Sequence, residues 1–208
     1  MYKVSVCQFE PHLLDLDFNL NRMLEMAGDA DTDLIVFPEL ATSGYVFQNK
    51  EELIPVAEDV QAGKSFTAFR KLCAQRNFSV VYGFCESSGD KLYNSAALVN
   101  PDGSVHVYRK THLFYREKLF FEPGDTGFNV FPAKDGIPVG LMICFDWQFP
   151  EAMRSLALAG ALIVAHPSNL VLPWCQEAMK TRSLENRVFS ITANRIGTET
   201  NLDQQETF

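Results

Sequence analysis

The 208-residue sequence predicts a layered α/β fold, and three features carry that expectation. Short apolar, β-capable runs at Lys3–Phe9 and Leu34–Phe37 flank a stretch with Leu20, Met23, Leu24 and Ala27 at the i, i+3, i+4, i+7 spacing of one helical face. Leu34–Phe37 is too short for a helix and apolar throughout, as a strand covered on both faces is. Val139–Ile143 repeats the strand pattern and is followed by another helical stripe. Strand, helix, buried strand is how a fold of sheets covered by helices opens.

In chain order, Asp17 is placed to cap the first helix. The second strand stops at Pro38, which cannot donate to a ladder, and the next residue is Glu39. A carboxylate there reads either as a surface residue starting a helix or as a general base tuned by partial burial. Residues 40–49, with Gly44 and Tyr45, form a loop able to wall a pocket. Phe66, Phe69, Leu72 and Cys73 lie at helical spacing within Lys64–Arg76, which puts Cys73 in the core. Phe78–Cys85 and Leu92–Val99 read as an antiparallel pair around the turn Ser87–Lys91, and Asn100–Gly103 turns the chain into a third strand, Ser104–Arg109. That strand delivers Lys110 beside an aromatic loop; by itself such a lysine reads as a solvated charge.

Val139–Ile143 ends at Cys144, after which Asp146, Gln148 and Pro150 mark a turn and the first position of a helix. A cysteine on a tight strand-to-helix turn lies near backbone N–H groups that favour negative charge. The expected consequences are a lowered thiol pKa and a place to stabilise an oxyanion. The residues alone leave open the alternative, a cysteine acting as a small buried hydrophobe. Met153, Leu156, Ala157 and Gly160 stripe the next helix. Leu162–Ala165 is a further buried strand ending at His166-Pro167-Ser168-Asn169, where Asn169 either contacts a substrate or ties down a loop. Trp174–Arg187 is a helix whose Arg182, Glu185 and Asn186 form a structural polar network, and Val188–Arg195 is a closing strand.

The length and the 47% hydrophobic content support one core and one domain over residues 1–208. A net charge of -8, from 18 basic and 26 acidic residues, gives no electrostatic footprint for nucleic acid or an anionic membrane. No apolar run is long enough to span a bilayer and the N-terminus reads as a strand, so a cytoplasmic location is expected. The cysteines, at 7, 73, 85, 144 and 175, are odd in number and contain no CxxC pair, so neither a disulfide framework nor a zinc site is expected. No metal and no cofactor are called for.

Four separated motifs occur in order across nearly the whole chain: Phe37-Pro38-Glu39-Leu40; Tyr108-Arg109-Lys110-Thr111-His112-Leu113-Phe114; Glu122-Pro123-Gly124-Asp125; and Ile143-Cys144-Phe145-Asp146 with Phe149-Pro150-Glu151. Together they resemble the nitrilase superfamily of carbon-nitrogen hydrolases. The resemblance implies an αββα four-layer sandwich and a Glu-Lys-Cys triad that maps onto Glu39, Lys110 and Cys144. It implies thiol-dependent hydrolysis of a small aliphatic amide or carbamoyl compound through a cysteine thioester. Small aliphatic nitriles are the alternative substrates, because the same thiolate attacks a nitrile carbon. In that scheme Glu39 takes the thiol proton, and Lys110 with the backbone N–H of Phe145 holds the oxyanion. Glu117, in a stretch resembling the amidase and carbamoylase branches, positions substrate and water, whereas Glu122 is a surface glutamate.

The paired arginines that the branch acting on D-carbamoyl amino acids carries after the nucleophile are replaced by Asp146, Trp147 and Gln148, which counts against that substrate. Superfamily members continue beyond the point corresponding to residue 208 with further strands and a tail contributing to subunit contacts. The sequence therefore reads as C-terminally incomplete relative to the family, lacking its C-terminal strands. The implied assembly is a homo-oligomer, a dimer or higher, with contacts through helices around Phe149–Leu158 and Trp174–Arg187. A catalytically silent interaction protein is the competing class, and only the short C-terminus speaks for it.

Overall fold

The computed structural model describes all 208 residues. The chain opens with β1 (Val4–Val6), α1 (Leu16–Asp29) and β2 (Leu34–Val36), followed by α2 (Lys64–Arg76) and the strands β3 (Ser79–Ser88), β4 (Lys91–Val99) and β5 (Val105–Arg109). It continues through β6 (Val130–Pro132), β7 (Pro138–Leu141), α3 (Pro150–Leu158), β8 (Ile163–Ser168), α4 (Cys175–Asn186) and β9 (Phe189–Asn194). A hairpin, β10 (Thr198–Asn201) and β11 (Gln204–Thr207), completes it.

One sheet has the order β1-β2-β3-β4-β5, parallel through β3 and antiparallel beyond; the other has the order β6-β7-β8-β9, with β7, β8 and β9 parallel. Successive residues of a strand face opposite sides, and β2 shows where each side goes. Ile35 and Phe37 join Leu20, Met23, Phe66 and Phe69 in a core beneath α1 and α2. Leu34 and Val36 join Val139, Leu141, Met153 and Met179 in the core shared with the second sheet, α3 and α4. The layers are therefore helix, sheet, sheet, helix, the αββα arrangement the resemblance implied. No helix is long and apolar enough to cross a membrane.

This topology brings distant residues to one edge. β5 is antiparallel to β4, which is antiparallel to β3, so β5 runs in the same direction as β2. Glu39 after β2 and Lys110 after β5 thus leave the first sheet on the same side. Cys144 and Asn169 follow β7 and β8, which are parallel neighbours in the second sheet.

Two local expectations need correction. β1 is three residues long because only Val4–Val6 finds a parallel partner, in Leu34–Val36. Asp15, not Asp17, caps α1: its carboxylate accepts the Phe18 N–H at 3.0 Å, while Asp17 sits in the first turn and pairs with Lys64 at 2.9 Å. The residues after Arg195, to which the sequence assigned no element, form the β10–β11 hairpin, folded back onto the loop after Glu39.

Candidate active site

Glu39 reaches its place because β3 lets the backbone pass close by. A Cβ on Gly83 would lie 2.5 Å from both Glu39 Cα and the Leu40 nitrogen, so only glycine fits. Gly83 N–H donates to the Pro38 carbonyl and Ala41 N–H to the Gly83 carbonyl, fixing the crossing. Lys110 is held in a similar way. Its N–H donates to the Asn94 carbonyl, its carbonyl accepts from Gly124, and a Cβ on Gly124 would fall 2.0 Å from the Arg109 carbonyl oxygen. The Pro123-Gly124 turn is thus the device that seats the lysine.

The side chains meet in a buried charge cluster. Lys110 Nζ donates to Glu39 Oε1 at 2.6 Å and to Glu117 Oε1 at 2.8 Å, with all three residues at most 3% exposed. Asn94 Nδ2 donates to Glu39 Oε1 at 2.7 Å, and the Tyr45 hydroxyl to Glu117 Oε1 at 2.8 Å. Glu39 Oε2 is buried and has no partner. Glu39 is wholly buried, where the sequence suggested partial burial.

Burial alone would lower the Lys110 pKa, but the Glu117 and Glu39 carboxylates outweigh it and hold the ammonium protonated. Burial pushes the Glu117 carboxyl up to about 7 against the pull of Lys110, with the charge of Glu39 adding to the rise. Two carboxylates around one ammonium leave the cluster one negative charge in excess when both are ionised, and Glu117 is the member that can take up a proton near neutrality.

Cys144 stands on the turn after β7 with a backbone φ of +39°, a left-handed conformation rare for a residue with a side chain. Leu40, directly after Glu39, and Tyr115, in the loop leading to Glu117, share it at +46° and +44°. Such positions cluster where surrounding structure forces them. Asp146 supplies much of that force here: Oδ2 accepts from the Ile143 N–H and the Tyr108 hydroxyl, both at 2.8 Å, and Oδ1 from the His112 N–H at 3.2 Å. Behind the elbow, burial pulls the His166 imidazole down and keeps it neutral; Nε2 donates to the Cys144 carbonyl at 2.9 Å, while Nδ1 accepts from the Thr192 hydroxyl at 3.0 Å.

The thiol does not behave as its position on a strand-to-helix turn suggested. Burial pushes the Cys144 pKa well above the ordinary thiol range, and the negative charge of Glu39 adds more than Lys110 removes. Cys144 opens a short 3-10 turn, Cys144–Gln148, and α3 begins at Pro150. The Sγ atom donates to the Asn169 carbonyl at 3.6 Å.

Two cavities flank this arrangement. One is lined by Cys144, Phe145, Trp147 and Asn169 among others. Asn169 is 2% exposed, and neither its side-chain oxygen nor its nitrogen has a partner, leaving a free amide beside the thiol. The other, the larger of the two, is walled by Tyr45, Glu117, Phe121 and residues of the C-terminal hairpin. Phe114 and Val171 line both.

All six site residues expected from the sequence, Glu39, Lys110, Cys144, Glu117, Phe145 and Asn169, fall on this cluster or these cavities. Four participants went unrecognised. Asn94 is visible as a polar residue interrupting the apolar run Leu92–Val99, and Asp146 stands in the turn and the cysteine motif without a role assigned to it. Arg195 shows only as the last residue of the closing strand, and Glu199 gives no signal, since it lies in a polar segment without periodicity. Yet they are buried, bonded to each other at 2.6 Å, and Glu199 accepts the backbone N–H groups of Tyr45 and Val46.

The family described as carbon-nitrogen hydrolase matches residues 3–207. A protein named nitrilase from Pyrococcus abyssi is 45% identical over 205 residues, covering 97% of this chain and 78% of the relative. An (R)-stereoselective amidase from a Pseudomonas species is 36% identical, covering 94% and 71%. A solved mutant of the amidase from Nesterenkonia sp. AN1, with acrylamide joined by Michael addition to its active-site cysteine, is similar at a TM-score of 0.82 and 26% identity, covering 95% of this chain and 80% of that one.

Proposed function

The chain belongs to the carbon-nitrogen hydrolase family, and from that membership we propose that it hydrolyses a small aliphatic amide or carbamoyl compound through a thioester on Cys144. The observation that carries this reading is Glu39 Oε2, a buried carboxylate oxygen without a donor in the same charge cluster that acts on the Cys144 thiol. Because the thiol is protonated at rest, its proton leaves as Sγ attacks the carbonyl carbon, and Glu39 Oε2 is the acceptor. The C=O π bond opens to an oxyanion as the C–S bond forms. Lys110 has three N–H groups, two of which are bound to Glu39 and Glu117, so one is free for that oxygen; the Phe145 N–H is the second donor. Loss of one such donor typically costs on the order of 3 kcal/mol.

Collapse of the intermediate breaks the C–N bond, and the proton held on Glu39 goes to the leaving nitrogen. Water then gives a proton to Glu39 while its oxygen attacks the thioester; the C–S bond breaks, the acid is released, and Cys144 takes back its proton. Glu117, held by Tyr45 and Lys110, orients the substrate nitrogen and the water. The free amide of Asn169 binds the substrate from the opposite side. No metal or cofactor is required for these steps.

A second reading, hydrolysis of a small nitrile by the same thiolate, is favoured by the 45% identity to the Pyrococcus protein named nitrilase. We also take residues 1–208 as one hydrolase domain, and the cytoplasm as its setting, where five free cysteines stay reduced. Ammonia release from a panel of amides, carbamoyl compounds and nitriles, with Cys144→Ala as control, tests the proposal. Expected are release that depends on Cys144 and an acrylamide adduct on that residue by mass spectrometry. Release unaffected by Cys144→Ala would end it.

A further inference from the structure

The larger cavity contains more charge than the chemistry above uses. Its charged wall residues are Arg116, Glu117 and Glu206. Glu117 is engaged by Lys110 and Tyr45, so its charge is already answered. Arg116 and Glu206, both half-buried, form no salt bridge within the chain: the Arg116 guanidinium has only the Phe120 ring, 5.8 Å from its centroid, and its Nε is buried without a hydrogen-bond partner. They come from different elements, the turn at Tyr115–Leu119 and strand β11, so no local pattern explains their presence on one wall. The rest of the lining is mainly aromatic and aliphatic, which strengthens any charge interaction made there.

The Arg116 Nε, buried without an acceptor, costs desolvation in the free protein, and the Glu206 carboxylate has no cation paired with it. A ligand bearing both a carboxylate and an ammonium supplies a partner to each. A guanidinium receives a carboxylate through two parallel N–H donors, and a carboxylate on a separate element takes the ammonium. The geometry points to a headgroup subsite: we propose that this cavity takes the α-amino-acid end of the substrate, its carboxylate on Arg116 and its ammonium at Glu206. Resting on the reading of Cys144 as the nucleophile, the substrate is then an ω-amide or ω-carbamoyl derivative of an α-amino acid, with the reacting carbonyl beyond Phe114 and Val171 at the thiol. This differs from a carbamoyl group carried on the α-nitrogen itself, where the carboxylate sits next to the scissile bond. Asp146, Trp147 and Gln148 offer no cation there.

The test uses four amides of one length: glutamine with both charges, 4-carbamoylbutanoate with only the carboxylate, 4-aminobutanamide with only the ammonium, and butanamide with neither. Binding is measured by calorimetry on the full chain carrying Cys144→Ala, which keeps this result independent of turnover. Expected is tighter binding of glutamine than of butanamide, by about tenfold for each matched charge. Arg116→Met in that background removes the advantage given by the carboxylate, and Glu206→Gln the advantage given by the ammonium. Glu206→Lys, on strand β11, reverses the order of glutamine and 4-carbamoylbutanoate. Equal affinity for all four, or a preference that survives both Arg116→Met and Glu206→Gln, overturns the subsite. Failure of the hydrolase reading looks different: the intact protein releases ammonia from none of the four while the charge-dependent binding remains.

Discussion

The Glu199 carboxylate accepts the backbone N–H of Tyr45 at 2.7 Å, and the same tyrosine gives its hydroxyl to Glu117 at 2.8 Å. A residue of the C-terminal hairpin is thereby joined through one side chain to the Lys110 cluster. Glu199 Oε1 also accepts the Val46 N–H at 2.5 Å, and Oε2 takes the Arg195 guanidinium at 2.6 Å. Removing one partner of a buried ion pair leaves an uncompensated charge, which typically costs about 3 to 5 kcal/mol. Glu199→Ala is expected to lower the melting temperature and to lower kcat by freeing the loop around Tyr45. Tyr45→Phe should reproduce the loss of kcat with much less loss of stability. Full turnover in Tyr45→Phe, measured as ammonia release, would detach this clamp from the chemistry.

Gly83→Ala tests whether the crossing of β3 and residues 38–40 positions Glu39. The new Cβ meets backbone, which cannot swing aside, so the shift passes directly to Glu39. A misplacement of about 1 Å costs roughly a hundredfold in rate. Gly28→Ala, in a helix with no atom within 4 Å of the added Cβ, is the control and should be neutral or slightly stabilising. Comparable rates for the two variants would remove Gly83 from the account.

The layers were legible because burial writes itself into periodicity: Leu34–Phe37 could be nothing but a covered strand, and α2 began and ended where its apolar spacing did. Glu39, Lys110 and Cys144 were legible as motifs, but the ion pair of Glu39 with Lys110 was not, since it depends on β5 running with β2. Glu199 escaped because its role is long-range, more than 150 residues from Tyr45, and its own segment has no apolar alternation to announce a strand. The thiol pKa was misjudged for a related reason. Helix-terminal N–H groups can be placed from sequence, whereas the depth of burial around one sulfur cannot.

The Glu117 carboxyl, with its pKa raised from 4.5 to about 7, makes two predictions of opposite sign. A carboxyl raised in the folded state contributes stability that is full below its unfolded value and is lost as pH rises through about 7. Activity runs the other way, because the ionised form accepts hydrogen bonds from water and the substrate nitrogen, so kcat/KM should climb through the same interval. In Glu117→Gln both the climb and the stability change near pH 7 should be absent. Parallel rate and melting profiles decide the matter, and an unchanged inflection in the variant would assign it to another group.

The raised Cys144 pKa predicts that alkylation of the free protein by iodoacetamide is slow at neutral pH and accelerates only beyond the ordinary thiol range. Peptide mapping would distinguish Cys144 from the other four cysteines, which are also buried. Rapid labelling of Cys144 that is flat below pH 7 would mean a preformed thiolate, and proton transfer to Glu39 would no longer need to accompany attack.

The end of the second sheet opposite the cavities predicts self-association. Leu158 and Leu184, at the C-terminal ends of α3 and α4, are 80% and 81% exposed, and Phe189, opening β9, is 67% exposed. Leu162 belongs with them: its carbonyl accepts the Phe189 N–H at 3.0 Å, which sets the two side by side ahead of β8 and β9. Asn169 lies beyond the opposite end of β8, so this apolar edge and the cavities occupy different ends of the second sheet. A monomer rarely leaves several large apolar side chains together in water, and pairing with a second copy is the way a single chain covers them. Sedimentation across a concentration series should show the average mass rising with concentration, and Leu184→Glu or Phe189→Glu should hold it at the monomer value while ammonia release persists. A monomer at every concentration would leave this edge without a partner of its own kind. Association unaffected by either substitution would place the contact elsewhere, on a surface that these four residues do not define.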